Sequence, residues 1–477
     1  NSVIAGITIR NGFVRGPLAV DGTYGTSRPV PYEIVSAGPD HWDPPRCRAE
    51  RGRDADGDSY GGGILCENGS SPTFKNCVIT NCVSTGGHGG NGAEGVSTDQ
   101  GTPDQWGYLP PGEDALQTTN DGEYGGHGGM GAGVGHGGGM ACLGGSSPIL
   151  IGCTFEGNGA YGGIAGAGGN GGNGAGLESW GGNGGEARGD GRGGAIYCDT
   201  RSVPVIRNCR FIDNIARSGV AGAAGQPGTG NPLPVPFTPA RPGMLGITVL
   251  YEQIGGGAIY YGNQTRADVK DSVFTDNQSF EGFAATDEYN AASEIHIDYK
   301  GGAIYSQSGN TLDLEGCEFT DSLGNAVYVV GQCAVDVNEC RFVGNERQDR
   351  SLTDYEGYLG NTESYVIDNN NYTPTQRIFD GGAIYLGPNC SRISVTNSAF
   401  HGNQADERGG AIRTLSSATI TDCVFGGNEA LEVGGAICGY YENGYPTEVA
   451  ILTLDFERCS FLNNRAYVGV KGYGGGV

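Results

Sequence analysis

Apolar and polar positions along this chain fall into one short unit that recurs with a period of about 22 residues. Each unit opens on Gly-Gly-Ala-Ile or a close variant. A Cys or Ser follows 16 residues after the first glycine in the units starting at Gly61, Gly137, Gly193, Gly256, Gly301 and Gly324. The interval is 17 from Gly381, 14 from Gly409 and 25 from Gly434. Three residues before that Cys/Ser stands an apolar residue: Val3, Phe74, Leu150, Ile206, Val269, Leu314, Val337, Val395, Ile420 or Phe456. Two residues after it stands Thr8, Ile79, Phe155, Phe211, Phe274, Phe319, Phe342, Phe400, Phe425 or Phe461. Residues two apart share one face of a strand, so the Cys/Ser and the Phe point the same way. The Ala-Ile pair predicts a second short strand, and Ser-Ser-Pro or Gly-Pro-Asn predicts the turn between strands. No stretch carries a 3.6-residue period over a dozen positions, so helix is not expected as a major element.

Strands this short cannot close a sandwich, but they can coil. A fixed period means a solenoid in which each unit buries its apolar positions against its neighbours. The expected fold is a single all-β domain over 1–477, a right-handed parallel β-helix of about ten coils, roughly 48 Å long at a strand spacing of about 4.8 Å. Equivalent residues then stack into ladders. Phe fills the lumen, Gly and Ala fit a crowded corner, and the amides of Asn11, Asn158, Asn214, Asn277, Asn345, Asn403, Asn428 and Asn464 bond one another along the axis.

Variation goes to one corner. Between each Asn-column residue and the next Gly-Gly lies a connector, of five residues at 404–408 and 429–433. The others are insertions at 12–60, 83–136, 159–192, 215–255, 278–300 and 346–380, expected side by side on one edge, where repeat proteins meet partners. Residues 159–192 hold 16 Gly in 34 positions, and Gly-Gly-His-Gly-Gly surrounds His88 and His127. Two readings stay open: a flexible linker, or extended strands of three residues per turn that hydrogen-bond through closely approaching backbones. The Pro-rich stretch 226–242 is expected to be extended and stiff.

Gly-Gly-Ala-Ile at 193, 256, 301, 381, 409 and 434, with Phe-x-x-Asn at 155, 211, 274, 342, 400, 425 and 461, carries a resemblance. From Gly61 onward the sequence resembles the repeats of chlamydial polymorphic outer-membrane proteins and the wider group of bacterial surface proteins with pectin-lyase-like β-helix repeats. That resemblance implies surface display and adhesion.

The 28 basic and 53 acidic residues leave a net charge of −25. Such a balance argues against nucleic acid and anionic membrane surfaces as partners and suits an extracellular surface that takes up divalent cations. No apolar run reaches membrane-spanning length, so no membrane insertion of this segment is expected. Fifteen cysteines are an odd number, leaving at least one unpaired or bonded elsewhere. Cys77, Cys153, Cys209, Cys317, Cys340, Cys423 and Cys459 form one column, and Cys66, Cys142 and Cys198 another. They read as small buried hydrophobes in the lumen, although the coil spacing would permit bridges. Cys47, Cys82 and Cys390 lie outside the regular columns, with Cys82 at an Asn-ladder position.

Two carboxylate groupings are candidate calcium sites. Asp54-Ala55-Asp56-Gly57-Asp58 has the spacing that opens a calcium loop, with Ser59 where Gly and Leu65 where Glu would stand in an EF-hand. Asp213, Asp276 and Asp321 recur four residues after the ladder position in successive coils; they fan into water, share protons or hold a cation. His88, His127 and His136 are wider-spaced metal candidates. An enzyme acting on acidic polysaccharide would need converging carboxylates with a basic residue, and the Asp213 column with Arg210 and Lys270 is the best candidate. The mixed neighbouring columns (Lys75, Ile151, Arg207, Lys270, Glu315, Asn338) favour instead a non-catalytic structural or adhesive surface protein. Because the array begins and stops within a coil, self-association by end-to-end stacking, or membership in a longer solenoid, is expected, with neighbouring surface proteins or glycans as other partners.

Overall fold

A computed structural model describes residues 2–21, 50–94, 125–171, 183–226, 228, 255–280, 300–345, 381–405, 408–439 and 452–467. The tips of the long insertions, all of 346–380, most of the Pro-rich stretch, Cys47 and the final Gly-rich residues lie outside that set. The protein winds as a right-handed parallel β-helix, and every pair of neighbouring strands is parallel. Ten coils are numbered by their strands on the first sheet, from Val3–Ala5 in coil 1 through Val205–Arg207 in coil 4 to Leu454–Glu457 in coil 10. The second sheet also has ten strands, among them Arg210–Ile212 and Val424–Gly426. The third has nine, built on the Ala-Ile segments such as Ile196–Cys198. Among the described residues no helix occurs.

Register explains the sequence columns. Phe155, Phe211 and Phe274 are direct cross-strand partners, and the stack continues through Phe319, Phe342, Phe400, Phe425 and Phe461. Their ring centroids lie 4.7–5.2 Å apart with planes within 10° of parallel. Parallel ring pairs are favoured at centroid separations of about 4.5–7 Å, and a strand spacing of about 4.8 Å holds the column within that range. Beside it, Asn214 Nδ2 donates to Asn277 Oδ1 at 3.0 Å and to the Phe155 carbonyl at 3.0 Å, while Asn158 Nδ2 donates to Asn214 Oδ1 at 2.9 Å. Each buried amide is thereby satisfied, which is what keeps a polar column tolerable in a dry lumen. The run is interrupted at Ser322, whose buried hydroxyl has no partner among the described residues, and resumes from Asn345 to Asn464.

The first coil sits one residue off the sequence expectation. Ile4 rather than Val3 pairs with Phe74, and Ile9 rather than Thr8 pairs with Ile79. Gly6 and Asn11 match the ladder pattern in sequence, yet both occupy left-handed corners (φ 65° and 55°) that Asn76 and Asn81 fill in the next coil. Gly12, not Asn11, faces Cys82 in the ladder. Gly and Asn suit both roles, hence the slip.

The opening glycines have two separate causes. Gly193 has φ 67°, a conformation that side chains resist. Gly194 is confined by space, since a Cβ there would lie 2.2 Å from the Gly257 carbonyl oxygen.

The described parts of the Gly-rich insertions form an ordered layer. Outgoing arms (16–21, 86–93, 162–171 and 218–226) run beside returning arms (50–58, 126–134 and 183–190). Gly86, Gly89 and Gly92 donate to Tyr161, Ile164 and Ala167 on the next outgoing arm. Gly87, Gly90 and Ala93 donate to Gly57, Arg53 and Glu50 on a returning arm, at 2.7–2.9 Å. The steps of three are the repeat of a polyproline-II-type helix, so the second sequence reading holds for these arms. Glycine is required because the backbones nearly touch: a Cβ on Gly166 would sit 1.9 Å from the Gly90 oxygen.

Candidate functional site

The chemistry-bearing side chains gather where the Gly-rich layer joins the coils. On the third sheet the middle residue of each strand faces outward, and register stacks Tyr197, Tyr260, Tyr305, Tyr328 and Tyr385. Their ring centroids are 4.5–5.5 Å apart. Returning arms end in the short strands Ser59–Tyr60, Gly135–His136 and Gly191–Arg192, which pair with one another and lay their last side chains over this column. Tyr60 stacks on His136 (4.5 Å, 4°), His136 lies 4.3 Å from the Tyr197 ring, and the Arg192 guanidinium carbon lies 5.8 Å from the Tyr260 centroid.

Two carboxylates complete the cluster. Asp58 accepts from the Val134 N–H (2.8 Å) and the Tyr60 hydroxyl (3.2 Å), with His136 Nε2 at 3.7 Å. Burial works to raise its carboxyl, but the nearby His136 imidazole and the Val134 N–H outweigh this and hold it below the usual aspartate value. Asp190 accepts from Arg192 at 3.2 Å. Burial pushes the Asp190 carboxyl up to about 6 despite that partner. Burial also lowers His136 and raises Tyr197 to about 12. His136 Nδ1, Arg192 Nε and the Tyr260 hydroxyl are buried without a partner among the described residues. His136 is only 3 % exposed and Tyr260 1 %, so the centre of the cluster is closed off by the described residues. What it does is pin the returning arms to the coil. The sequence signal for the tyrosine column is the recurring Ile-Tyr at 196–197, 259–260, 304–305 and 384–385, which the spacing argument above does not use.

The predicted site residues are distributed differently. Asp54 and Asp58 each accept a backbone N–H from the next returning arm, Met130 at 2.7 Å and Val134 at 2.8 Å. Between them Asp56 is exposed and Ala55 buried. Asp213, Asp276 and Asp321 do stand in one column, but that column is a left-handed corner (φ 51°, 54° and 52°) shared with Asn81, Gly157, Gly344, Gly402, Gly427 and Asn463. Asp, Asn and Gly are the residues this conformation favours, so backbone geometry accounts for the type. Burial and the flanking charges of Asp213 and Asp321 raise the Asp276 carboxyl. Arg210 lies on the second sheet beside this corner, whereas Lys270 lies on the first sheet, ion-paired with Glu315, and the second sheet separates it from the aspartates. His127 Nδ1 accepts the Asn183 N–H at 2.8 Å; His136 stands at the far end of the same returning arm and His88 on an outgoing arm. Among the described residues no three His, Cys, Asp or Glu side chains are grouped to hold a metal ion.

Leaving Cys438 aside, the described cysteines are free thiols, buried except for the half-buried Cys390 and Cys459. Burial pushes Cys333 and Cys423 up to about 11, which keeps them protonated and unreactive. Cys390 packs against the core despite lying outside the two sequence columns.

A family model described as a right-handed β-helix region matches residues 251–351, within coils 5 to 7. No curated protein and no solved structure matches this sequence significantly. Among the described residues no helix is long and apolar enough to cross a membrane.

Proposed function

We propose that this protein is a non-catalytic structural or adhesive protein of the cell surface or extracellular space. In this reading the β-helix is a rigid rod and the Gly-rich layer its contact edge. The observation that carries it is the use made of the carboxylates. Asp54 and Asp58 cap backbone N–H groups of the layer, and the Asp213 column serves a left-handed corner. Side chains committed to backbone structure are poor candidates for acid–base work on a polymer, which needs a base and an acid in reach of one bond. Partners are neighbouring surface proteins, glycans or other copies of this protein, and the net charge of −25 disfavours nucleic acid.

The alternative is a lyase or hydrolase acting on acidic polysaccharide through Asp213, Asp276 and Asp321. Incubation with polygalacturonate and with alginate separates the two. The expected result is no release of unsaturated or reducing ends, together with saturable binding of labelled protein to cells or glycans. Turnover that Asp276→Asn abolishes would establish the enzyme.

Calcium belongs to the same proposal, held by Asp56 with Asp54 and Asp58, and at the Asp213 column. Calorimetric titration of calcium into the native protein and into Asp56→Ala tests the first site. Weaker binding in the variant is expected, and identical heats remove the site.

A further inference from the structure

Asn-Gly occurs eight times in this sequence, at Asn11, Asn68, Asn91, Asn158, Asn170, Asn173, Asn183 and Asn443. Such pairs are chemically labile because glycine puts no Cβ in the way of its own nitrogen. The nitrogen of the glycine attacks Cγ of the asparagine, the bond from Cγ to Nδ2 breaks, and ammonia leaves. Water then opens the cyclic imide at either carbonyl, giving aspartate or its β-linked isomer. The reaction takes up water, releases ammonia and needs no oxidant or enzyme. It does need a glycine N–H that can be deprotonated and an asparagine amide free to turn.

The hydrogen bonds of the fold sort these pairs. Gly92 N–H is donated to the Ala167 carbonyl at 2.8 Å while Asn91 Oδ1 accepts the Ala167 N–H at 2.9 Å, so both reacting groups are held. Asn170-Gly171 is held in the same way by Gln226, at 2.9 and 2.8 Å. Asn158 is fully buried in the ladder and Gly159 N–H donates to Cys82 at 2.9 Å. At Asn11 the Gly12 N–H meets the Cys82 sulfur at 3.4 Å.

Asn68-Gly69 differs on every count. It is the exposed two-residue turn between the third and first sheets in coil 2, with φ of 58° and 70°. One backbone bond closes the turn, Ser70 N–H to the Glu67 carbonyl at 3.2 Å. Gly69 N–H donates to no described group, and the Asn68 amide has no described partner. We propose that Asn68 is a self-modification site, deamidating through a cyclic imide with water as co-reactant, while the polyglycine layer and the Asn ladder protect Asn91, Asn158 and Asn170. The product places a new carboxylate, and in the β-linked isomer an extra backbone carbon, on an exposed corner of the rod.

The test uses the native protein, held folded in warm, mildly alkaline buffer, digested at intervals and read by peptide mass. Conversion at Asn68 is expected about tenfold or more faster than at Asn91, Asn158 and Asn170, since each protected pair must first lose bonds worth about a factor of ten apiece. In denaturant the four rates should converge, because each asparagine precedes glycine. Equal folded-state rates at Asn68 and Asn91, or a spread of rates that survives denaturant, overturns the proposal.

Discussion

Coils 3 and 4 and coils 8 and 9 share one interior and differ at one corner. In both pairs the lumen is a column of stacked phenylalanines beside a column of bonded asparagines. In coils 8 and 9 the connector is five residues long, and its start simply pairs as Gln404–Ala405 with Glu429–Ala430. In coils 3 and 4 the corner extends into arms that bury little apolar surface and are held by backbone hydrogen bonds every third residue. Each such bond contributes about 0.5–1.5 kcal/mol net, while ordering each glycine costs about 0.5–1 kcal/mol more than ordering alanine. The two nearly cancel. The layer is therefore expected to depend on the coils, which deliver the arms in register, more than the coils depend on the layer.

That asymmetry can be broken at the Phe column first. Phe274→Ala and Phe425→Ala each remove a fully buried ring stacked at 4.7–5.0 Å between neighbours. Each should cost about 3–5 kcal/mol in denaturant unfolding, whichever kind of corner its coil carries. A loss confined to one of the two would show that the interiors are not equivalent.

The next effect is pH-dependent and belongs to the Gly-rich end. The Asp190 carboxyl is raised from 3.8 to about 6 by burial. Its contribution is therefore present below pH 3.8 and is lost as the pH rises through about 6. His136 is lowered by burial, so its contribution is present above about pH 6.5 and lost as the pH falls through its folded value. Replacing Asp190 with Asn should remove a decline on the order of 2 kcal/mol between about pH 4 and 6. Urea midpoints measured across that window check it, and an unchanged slope in the variant refutes the assignment.

The smallest effect should stay local. Gly166→Ala forces a Cβ against the Gly90 carbonyl, an overpacking cost of about 1–3 kcal/mol taken by the arms alone. Amide exchange should speed up at Gly89, Gly92 and Gly169 and remain unchanged in the second sheet. Faster exchange at Phe211 or Phe274 would mean that the layer does support the coil.

Much of the fold is legible without coordinates. The constant Gly-to-Cys interval carries the coil, and the Phe and Asn positions carry its ladders, because a parallel β-helix stacks equivalent residues and selects them together. Legibility fails where one residue type serves two purposes. Gly6 and Asn11 look like ladder residues but fill left-handed corners, which shifts coil 1 by one residue. Asp213, Asp276 and Asp321 look like a charge column, yet their place is set by φ. The tyrosine column is visible as repeated Ile-Tyr; its cover of Tyr60, His136 and Arg192 is not, since those residues arrive on other arms.

Residue spacing alone dictates the period, the parallel stacking and the filling of the lumen. These follow from local intervals and from the identity of residues that meet their own equivalents one coil away. The three-residue step of the glycine arms is one of two readings open in the sequence, and their hydrogen bonds decide it. Assembly in three dimensions settles which arms hydrogen-bond, that Asp54 and Asp58 cap the next arm, and that Asp190 is buried beside Arg192. Those outcomes depend on segments brought together from different insertions, whose lengths follow no repeat, so no interval along the sequence encodes them.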